Sequence, residues 1–330
     1  MTIYDIAKEA GVSISTVSRV LNSPEKVTYK TREQVLRVIK KHKYSPNAMA
    51  RGLVSKSMKT IGILLPDIRN LHFSSAAYVL ESMFFSWDYN TILCNTGEDL
   101  EKKKKYVRLF SERKVDGLVL LGSVFYEPEI EKMIMDYLPN TPVVTSNAVL
   151  SNVNSHSVMI DYSHACKLII DHLCERGYEN IYFVASNNTE NTKRKRIGFK
   201  EALAAHGMPF NEKKMFLHCD YSFEGALKFA KAFKPLTGKI TACIFHDDYL
   251  ANCACNAFSK IGLSIPEDVA AVGFDNSRFS VCLHPQLTSV DTKIEELSVI
   301  VANTLHDIFL GRPVGRSVTI SPELIVREST

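Results

Sequence analysis

Apolar residues along this chain follow two rhythms. Over residues 3–39 they recur every three or four positions, the period of short helices packed on one another. From residue 61 they come as short unbroken runs separated by amphipathic stretches. In the first region Ile3, Ile6, Ala7 and Ala10 mark one face of a helix, with Thr2 and Asp5 spaced as a capping box at its start. Gly11 stands where the chain must turn sharply. Ser13 can cap a second helix running from Ile14 to about Leu21, with Val17, Val20 and Leu21 turned inward and Ile14, Ser15, Ser18 and Arg19 facing elsewhere. After the loop NSPEKV, Thr31 is expected to cap a third helix, with Gln34 completing a capping box and Val35, Val38 and Ile39 facing inward. The pattern predicts a three-helix headpiece over 1–45.

The next stretch, YSPNAMARGLVSKSMKT, carries a helical signal for only two turns, from Pro46 through Ala48, Met49, Ala50 and Leu53. So short a helix is marginal in water by itself, and 46–59 reads as a hinge and linker. From Ile61 the apolar runs fall at 61–65, 91–94, 117–121, 142–145, 157–160, 180–185, 240–245 and 268–274. Predicted helices lie between them at 73–86, 99–113, 162–176, 195–206, 223–234, 249–260 and 293–310. Strands that are apolar on both faces, alternating with helices, belong to parallel sheets covered on both sides. The unit occurs twice, so 60–330 reads as two doubly wound lobes, roughly 60–160 and 161–290, with late strands in SVTISPELIVREST crossing back between them. Ligands in such sheets sit at the carboxyl ends of the strands.

Charge sharpens the reading of the headpiece. Residues 1–59 hold twelve Lys and Arg against four acids, a net +8, while the whole chain is +4 and the remainder therefore −4. A basic head on a mildly acidic body is the electrostatic footprint of a nucleic-acid module joined to something else. With that asymmetry, two helices around a tight turn read as a helix-turn-helix rather than as an ordinary helical hairpin. Short polar side chains and one arginine on the exposed face of the second helix suit a recognition element. No apolar run approaches the length of a membrane helix, and Asp5, Lys8 and Glu9 interrupt any leader-like stretch, so a cytoplasmic protein is expected. The eight cysteines form no CxxC pair and are expected to be reduced thiols, several of them in the core.

TIYDIAKEAGVSISTVSRVLN, YSPNAMARGL, DGLVLLGS, the run RIGF at 196–199, IPEDVAAVGFDNS and PQLTSV together resemble, in order and over almost the whole chain, the lactose/galactose repressor family of bacterial transcription regulators. The resemblance implies an all-α helix-turn-helix headpiece followed by an α/β core of two doubly wound parallel-sheet lobes, similar to periplasmic sugar-binding proteins. It implies a homodimer on palindromic double-stranded operator DNA, with a small-molecule effector, a sugar or sugar derivative, between the lobes. Some members of the family answer to a phosphoprotein instead. Carried onto this sequence, the base-reading positions are Ile14, Ser15 and Arg19, and Tyr4, Thr16 and Asn22 match phosphate-contacting positions. Leu53, flanked by Met49 and Ala50, matches a hinge leucine that wedges into the minor groove. The effector-lining positions fall on His72, Phe73, Ser123, Asn147, Asp161, Glu190, Thr192, Arg196, Tyr221, Asp248 and Asp275, with Arg196 and Asp275 the clearest matches. A planar arginine and acids suit paired sugar hydroxyls. Glu190 stands where purine-responsive members have an arginine, which argues against a purine.

Other chemistries have less in their favour. His246, Asp247 and Asp248 follow a strand and point in different directions, so a cleft rim is a better reading than a metal site, and no metal or cofactor is expected. EKKKK at 101–105 opens an amphipathic helix and reads as a solvated face. Trp87 reads as core. No phosphate loop, nucleophile elbow or zinc-protease string occurs, so an enzyme is not expected. A free solute-binding protein would account for the lobes but not for the basic headpiece.

Overall fold

The computed structural model describes residues 2–44, 57–151, 154–238, 240–282 and 284–330. The chain divides between Met58 and Lys59 into two compact units. The first unit holds α1 (Ile3–Glu9), α2 (Ile14–Asn22) and α3 (Tyr29–Lys41). Thr2 and Asp5 form the capping box at α1, and Gly11 adopts the left-handed conformation (φ 61°) that the turn into α2 requires. Ile6, Ala7, Ala10, Val17, Val20, Val35 and Val38 make its buried core. The third helix departs from expectation. It starts after Thr28, whose hydroxyl donates to Thr31 (3.0 Å), so Thr31 lies inside the helix rather than at its cap. Gln34 makes no capping box: its Nε2 donates to the Ala10 carbonyl (2.9 Å), closing the end of α1 from across the core. Glu9 accepts from both Lys41 and His42, each at 2.7 Å, and ties the carboxyl ends of α1 and α3 together.

The second unit contains two six-stranded sheets. The first has the order β11-β5-β4-β3-β1-β2, from β1 (Thr60–Leu65), β2 (Asn90–Asn95), β3 (Gly117–Leu121), β4 (Val143–Ser146), β5 (Ser155–Ile160) and β11 (Ser317–Ile320). The second has the order β12-β10-β9-β8-β6-β7, from β6 (Asn180–Ala185), β7 (Phe216–His218), β8 (Thr241–Phe245), β9 (Ala270–Phe274), β10 (Thr288–Asp291) and β12 (Glu323–Ile325). All neighbours run parallel except β10 and β12. Every residue of β3, β8 and β9 is buried, as parallel strands covered on both faces require.

The covering helices are α4 (Leu71–Ser86), α5 (Leu100–Arg113), α6 (Pro128–Tyr137), α7 (Tyr162–Glu175), α8 (Glu190–Ala205), α9 (Glu212–Met215), α10 (Phe223–Phe233), α11 (Asp248–Lys260) and α12 (Ile294–Phe309). The chain passes between lobes three times: from β5 into α7, from β10 back into α12, which packs on α4, and from β11 into β12. α6, α9, β7 and β10 fall outside the elements expected from the pattern, and α8 starts five residues before the expected position because its first turn, Glu190–Arg194, is wholly polar. Lys103, expected on a solvated face, is not solvated. Lys103 is fully buried on α5, its Nζ donating to the Val124 carbonyl (2.6 Å) and to Glu127 (3.0 Å). Trp87 is only partly buried, stacked on His306 with ring centroids 3.9 Å apart. All eight cysteines are free thiols.

Candidate functional site

Two surfaces carry the candidate chemistry, one in each unit. In the first, the Ser13 hydroxyl accepts from the Thr16 amide (3.2 Å) and pairs with the hydroxyls of Ser15 (2.8 Å) and Thr16 (2.9 Å). The amino end of α2 therefore presents an ordered cluster of hydroxyls and amides. Such ends attract phosphate oxygens. Beside it Ile14 and Arg19 are exposed, and Tyr4 on α1 is 68% exposed although it belongs to a seven-residue helix with a buried stripe. Exposed apolar and cationic side chains on the second helix of a helix-turn-helix have the chemistry to meet a thymine methyl and a guanine edge. Asn22 ends α2. Met49, Ala50 and Leu53 lie outside the described residues.

The second surface is the cleft at the carboxyl ends of the strands. Ser123 follows β3, Asn147 follows β4, Asn191 opens α8 after β6, His246 and Asp247 follow β8, and Asp275 follows β9. Asn147 and Asp275 hold positive φ (58° and 95°), strain of the sort that clusters at functional sites. Contacts cross the cleft at several points. His72 Nδ1 lies 3.3 Å from Asp275 Oδ1, an ion-pair separation, though it is not aligned as a hydrogen bond. The Asn191 amide donates to Ser123 Oγ (3.1 Å), and Asn70 Nδ2 donates to the Tyr221 hydroxyl (3.3 Å), which itself donates to Asp247 Oδ2 (2.6 Å). Phe73 meets His72 edge to face and backs Gly122, the residue before Ser123.

Lys195 lies at the centre of this arrangement. It is buried, its Nζ donates to the His246 carbonyl (2.6 Å), and it sits over the Phe274 and Tyr162 rings at 3.9 and 4.9 Å. Burial lowers its pKa, while Asp275 and Asp247 pull the other way. Burial works against the charge of Asp275 too, but His72, Lys195 and the Thr292 hydroxyl outweigh it and hold the carboxyl well below the usual range. Desolvation likewise lowers His246.

The cleft therefore differs from the sequence expectation in identifiable ways. Arg196 does not reach it. Its guanidinium lies 4.9 Å over the Phe216 ring and bonds Asn188 in the loop before α8. Gly198 explains the choice. A Cβ there would come within 2.8 Å of the Ser163 Cα, so that face of α8 must press on α7. Lys195 shares the face, three residues before. That spacing was legible in RIGF and its neighbours, and reading the face instead of the residue type would have found Lys195. Asp248 is also turned away, its two oxygens accepting from Ser289 Oγ (2.5 Å) and the Ser277 amide (2.6 Å) inside the second lobe. Its neighbour Asp247 takes the cleft position. Asp161 caps α7 by accepting from the His164 amide, Thr192 donates to Asn187 in the loop before α8, and Glu190 pairs with Lys193 and Arg194 at the start of α8. His72, Phe73, Ser123, Tyr221 and Asp275 take part in the contacts along the cleft, and the Asn147 carbonyl accepts from Arg194.

A helix-turn-helix unit joined to a two-lobed parallel α/β core, with polar groups turned into the cleft, defines a DNA-binding regulator with a ligand-holding core. Comparison with known proteins agrees. A model described as bacterial regulatory proteins, lacI family, matches residues 2–47, and one for a periplasmic binding protein-like domain matches residues 170–330. The chain is 34% identical over 332 residues to an HTH-type transcriptional regulator of Lachnoclostridium phytofermentans, spanning 100% of this chain and 99% of that one. It is 32% identical over 333 residues to catabolite control protein A of Priestia megaterium, spanning 100% and 99%. Among solved structures, the Lac repressor dimer bound to operator and the anti-inducer ONPF superposes with a TM-score of 0.88 at 21% identity, covering 100% of this chain and 98% of that one. A LacI family regulator of Enterococcus faecium with bound ribose gives 0.72 at 25% identity, covering 82% and 98%. This chain belongs to the lacI family of bacterial regulatory proteins and is a DNA-binding regulator of transcription.

Proposed function

We propose that this protein is a cytoplasmic repressor that binds palindromic operator DNA as a homodimer. Its operator affinity is set by a small polar effector, a sugar or sugar derivative, held between the two lobes of the core. The observation that carries the reading is the approach of His72 in the first lobe to Asp275 in the second, 3.3 Å apart in a cleft lined by polar groups of both. A ligand that replaces or bridges such a pair interacts differently with open and closed lobes, and only that difference lets it shift a conformational equilibrium. The cleft side chains are arranged to hold hydroxyl groups rather than to attack them: Lys195 is committed to a backbone carbonyl and two ring faces, and Ser186 Oγ meets His246 Nε2 only at a long 3.4 Å. No cofactor or metal enters this reading.

Operator selection from random DNA with the full-length protein, followed by anisotropy titrations with and without sugars, tests it. Preference for a palindrome, changed by a sugar, is the expected outcome. Equal binding to palindromic and scrambled DNA would overturn the regulator reading, and operator affinity that no sugar changes would overturn the effector reading alone.

A further inference from the structure

The donors and acceptors left open in the cleft specify the charge of its ligand. Lys195 is the buried cation there, and its surroundings are already complete: a carbonyl at 2.6 Å and aromatic faces at 3.9 and 4.9 Å. It serves Asp275 and Asp247 as a counter-charge and leaves little of its ammonium for an incoming anion. Arg194 spans Glu190 (3.8 Å) and the Asn147 carbonyl (3.5 Å), and the exposed Arg278 faces Asp275 and Glu295 on the lining of one cavity. Against Lys195 stand two cleft carboxylates, so the buried centre carries no surplus positive charge.

The open positions are of both kinds. Asn191 Oδ1 is a buried acceptor without a partner, Asn147 Nδ2 a buried donor without one, and Ser277 Oγ can serve as either. Among the described residues, the second oxygen of Asp275 takes no hydrogen bond, while Oδ1 faces His72 and accepts from Thr292 (3.2 Å). A cavity of about 310 Å³ opens beside this group, lined by His72, Tyr78, Asp275, Ser277 and Arg278 among others. A sugar hydroxyl donates and accepts at once and satisfies such a mixture. A phosphate oxygen at neutral pH only accepts, so a carboxylate and an amide oxygen are the wrong partners, and each buried acceptor left unpaired costs affinity.

We propose that the cleft takes an uncharged polyol, an unphosphorylated sugar, and rejects the phosphorylated form of the same sugar. This rests on the effector reading above and narrows it. A phosphate monoester brings close to two negative charges at pH 7, set beside Asp275 and Asp247 with Lys195 already engaged.

Full-length protein is titrated by calorimetry with matched pairs: D-ribose and D-ribose 5-phosphate, D-glucose and D-glucose 6-phosphate, D-fructose and D-fructose 6-phosphate. Operator binding is measured in parallel on the same preparation. At least one neutral sugar is expected to bind, and its phosphate at least tenfold more weakly. Asp275→Asn should weaken the neutral sugar at least tenfold. A phosphorylated member that binds as tightly as its parent or tighter would overturn the proposal, and operator release by that compound would leave the regulator reading standing. Binding by no member of any pair would overturn it as well, with operator binding still judged separately.

Discussion

Lys195 and Arg196 are adjacent in the chain and meet different surroundings around α8: the lysine is buried over Phe274 in the cleft, and the arginine rests over Phe216 outside it. Removing Lys195 leaves Asp275 and Asp247 without their counter-charge in a buried site. Lys195→Met is therefore expected to destabilise the protein by about 3 kcal/mol and to abolish sugar binding. Arg196→Ala loses the Phe216 ring contact and a long hydrogen bond to Asn188, about 1 kcal/mol, and should leave the sugar Kd unchanged. Urea unfolding and calorimetry on both variants check this. A lost sugar response in Arg196→Ala with Lys195→Met unaffected would reverse the assignment.

Lys103 acts at a distance. It anchors the Val124–Glu127 segment, which begins one residue after Ser123, the acceptor of the Asn191 amide across the cleft. Lys103→Met should leave the Val124 carbonyl unsatisfied at a cost of about 1–3 kcal/mol. It should speed hydrogen exchange at Asn191 and at residues 122–127, with the amides of β1 unchanged. Equal acceleration throughout the first lobe would mean that Lys103 has only a general structural role.

Asp248 introduces a pH dependence. Burial, with Asp275 nearby, pushes its carboxyl up to about 8, against 3.8 for the free group. The folded state therefore holds a proton that the unfolded state has lost, and stability falls as pH rises from about 4 to about 8, then levels off. Asp275 works in the opposite sense: its depressed pKa contributes stability above the unfolded value that is lost as pH falls through the acid range. Asp248→Asn keeps the neutral form, its amide able to serve Ser289 and its oxygen the Ser277 amide. Urea midpoints measured between pH 5 and 8 should decline more steeply for the native protein than for Asp248→Asn. Parallel declines would show that Asp248 is already ionised at pH 5.

On the DNA side, Arg19→Ala is expected to cost about 1–3 kcal/mol on a selected operator and to relax preference at one base pair per half-site. Native binding should weaken steeply with added salt, as phosphate contacts by a basic headpiece require. Competition assays with operator and random DNA separate base reading from phosphate contact. If the variant weakens both DNAs by one factor, Arg19 holds only backbone.

The sequence by itself determined the local architecture. Caps, a turn glycine and helical periodicity specify α1 and α2 because their signals are contained within residues 2–21, and fully apolar runs specify parallel strands because both faces must be covered. Tertiary packing alone decided which of two neighbouring polar residues enters the cleft. Lys195 and Asp247 face inward, and Arg196 and Asp248 do not, because the rotation of a helix is set by what presses on it. For α8 that is the close approach of Gly198 to α7. Lys103 teaches the same lesson: a charge run reads as solvated until Val124 and Glu127, more than twenty residues further along, close over one member of it. Composition and spacing describe what a residue can do, whereas its partners are supplied by distant segments that only the folded chain brings near.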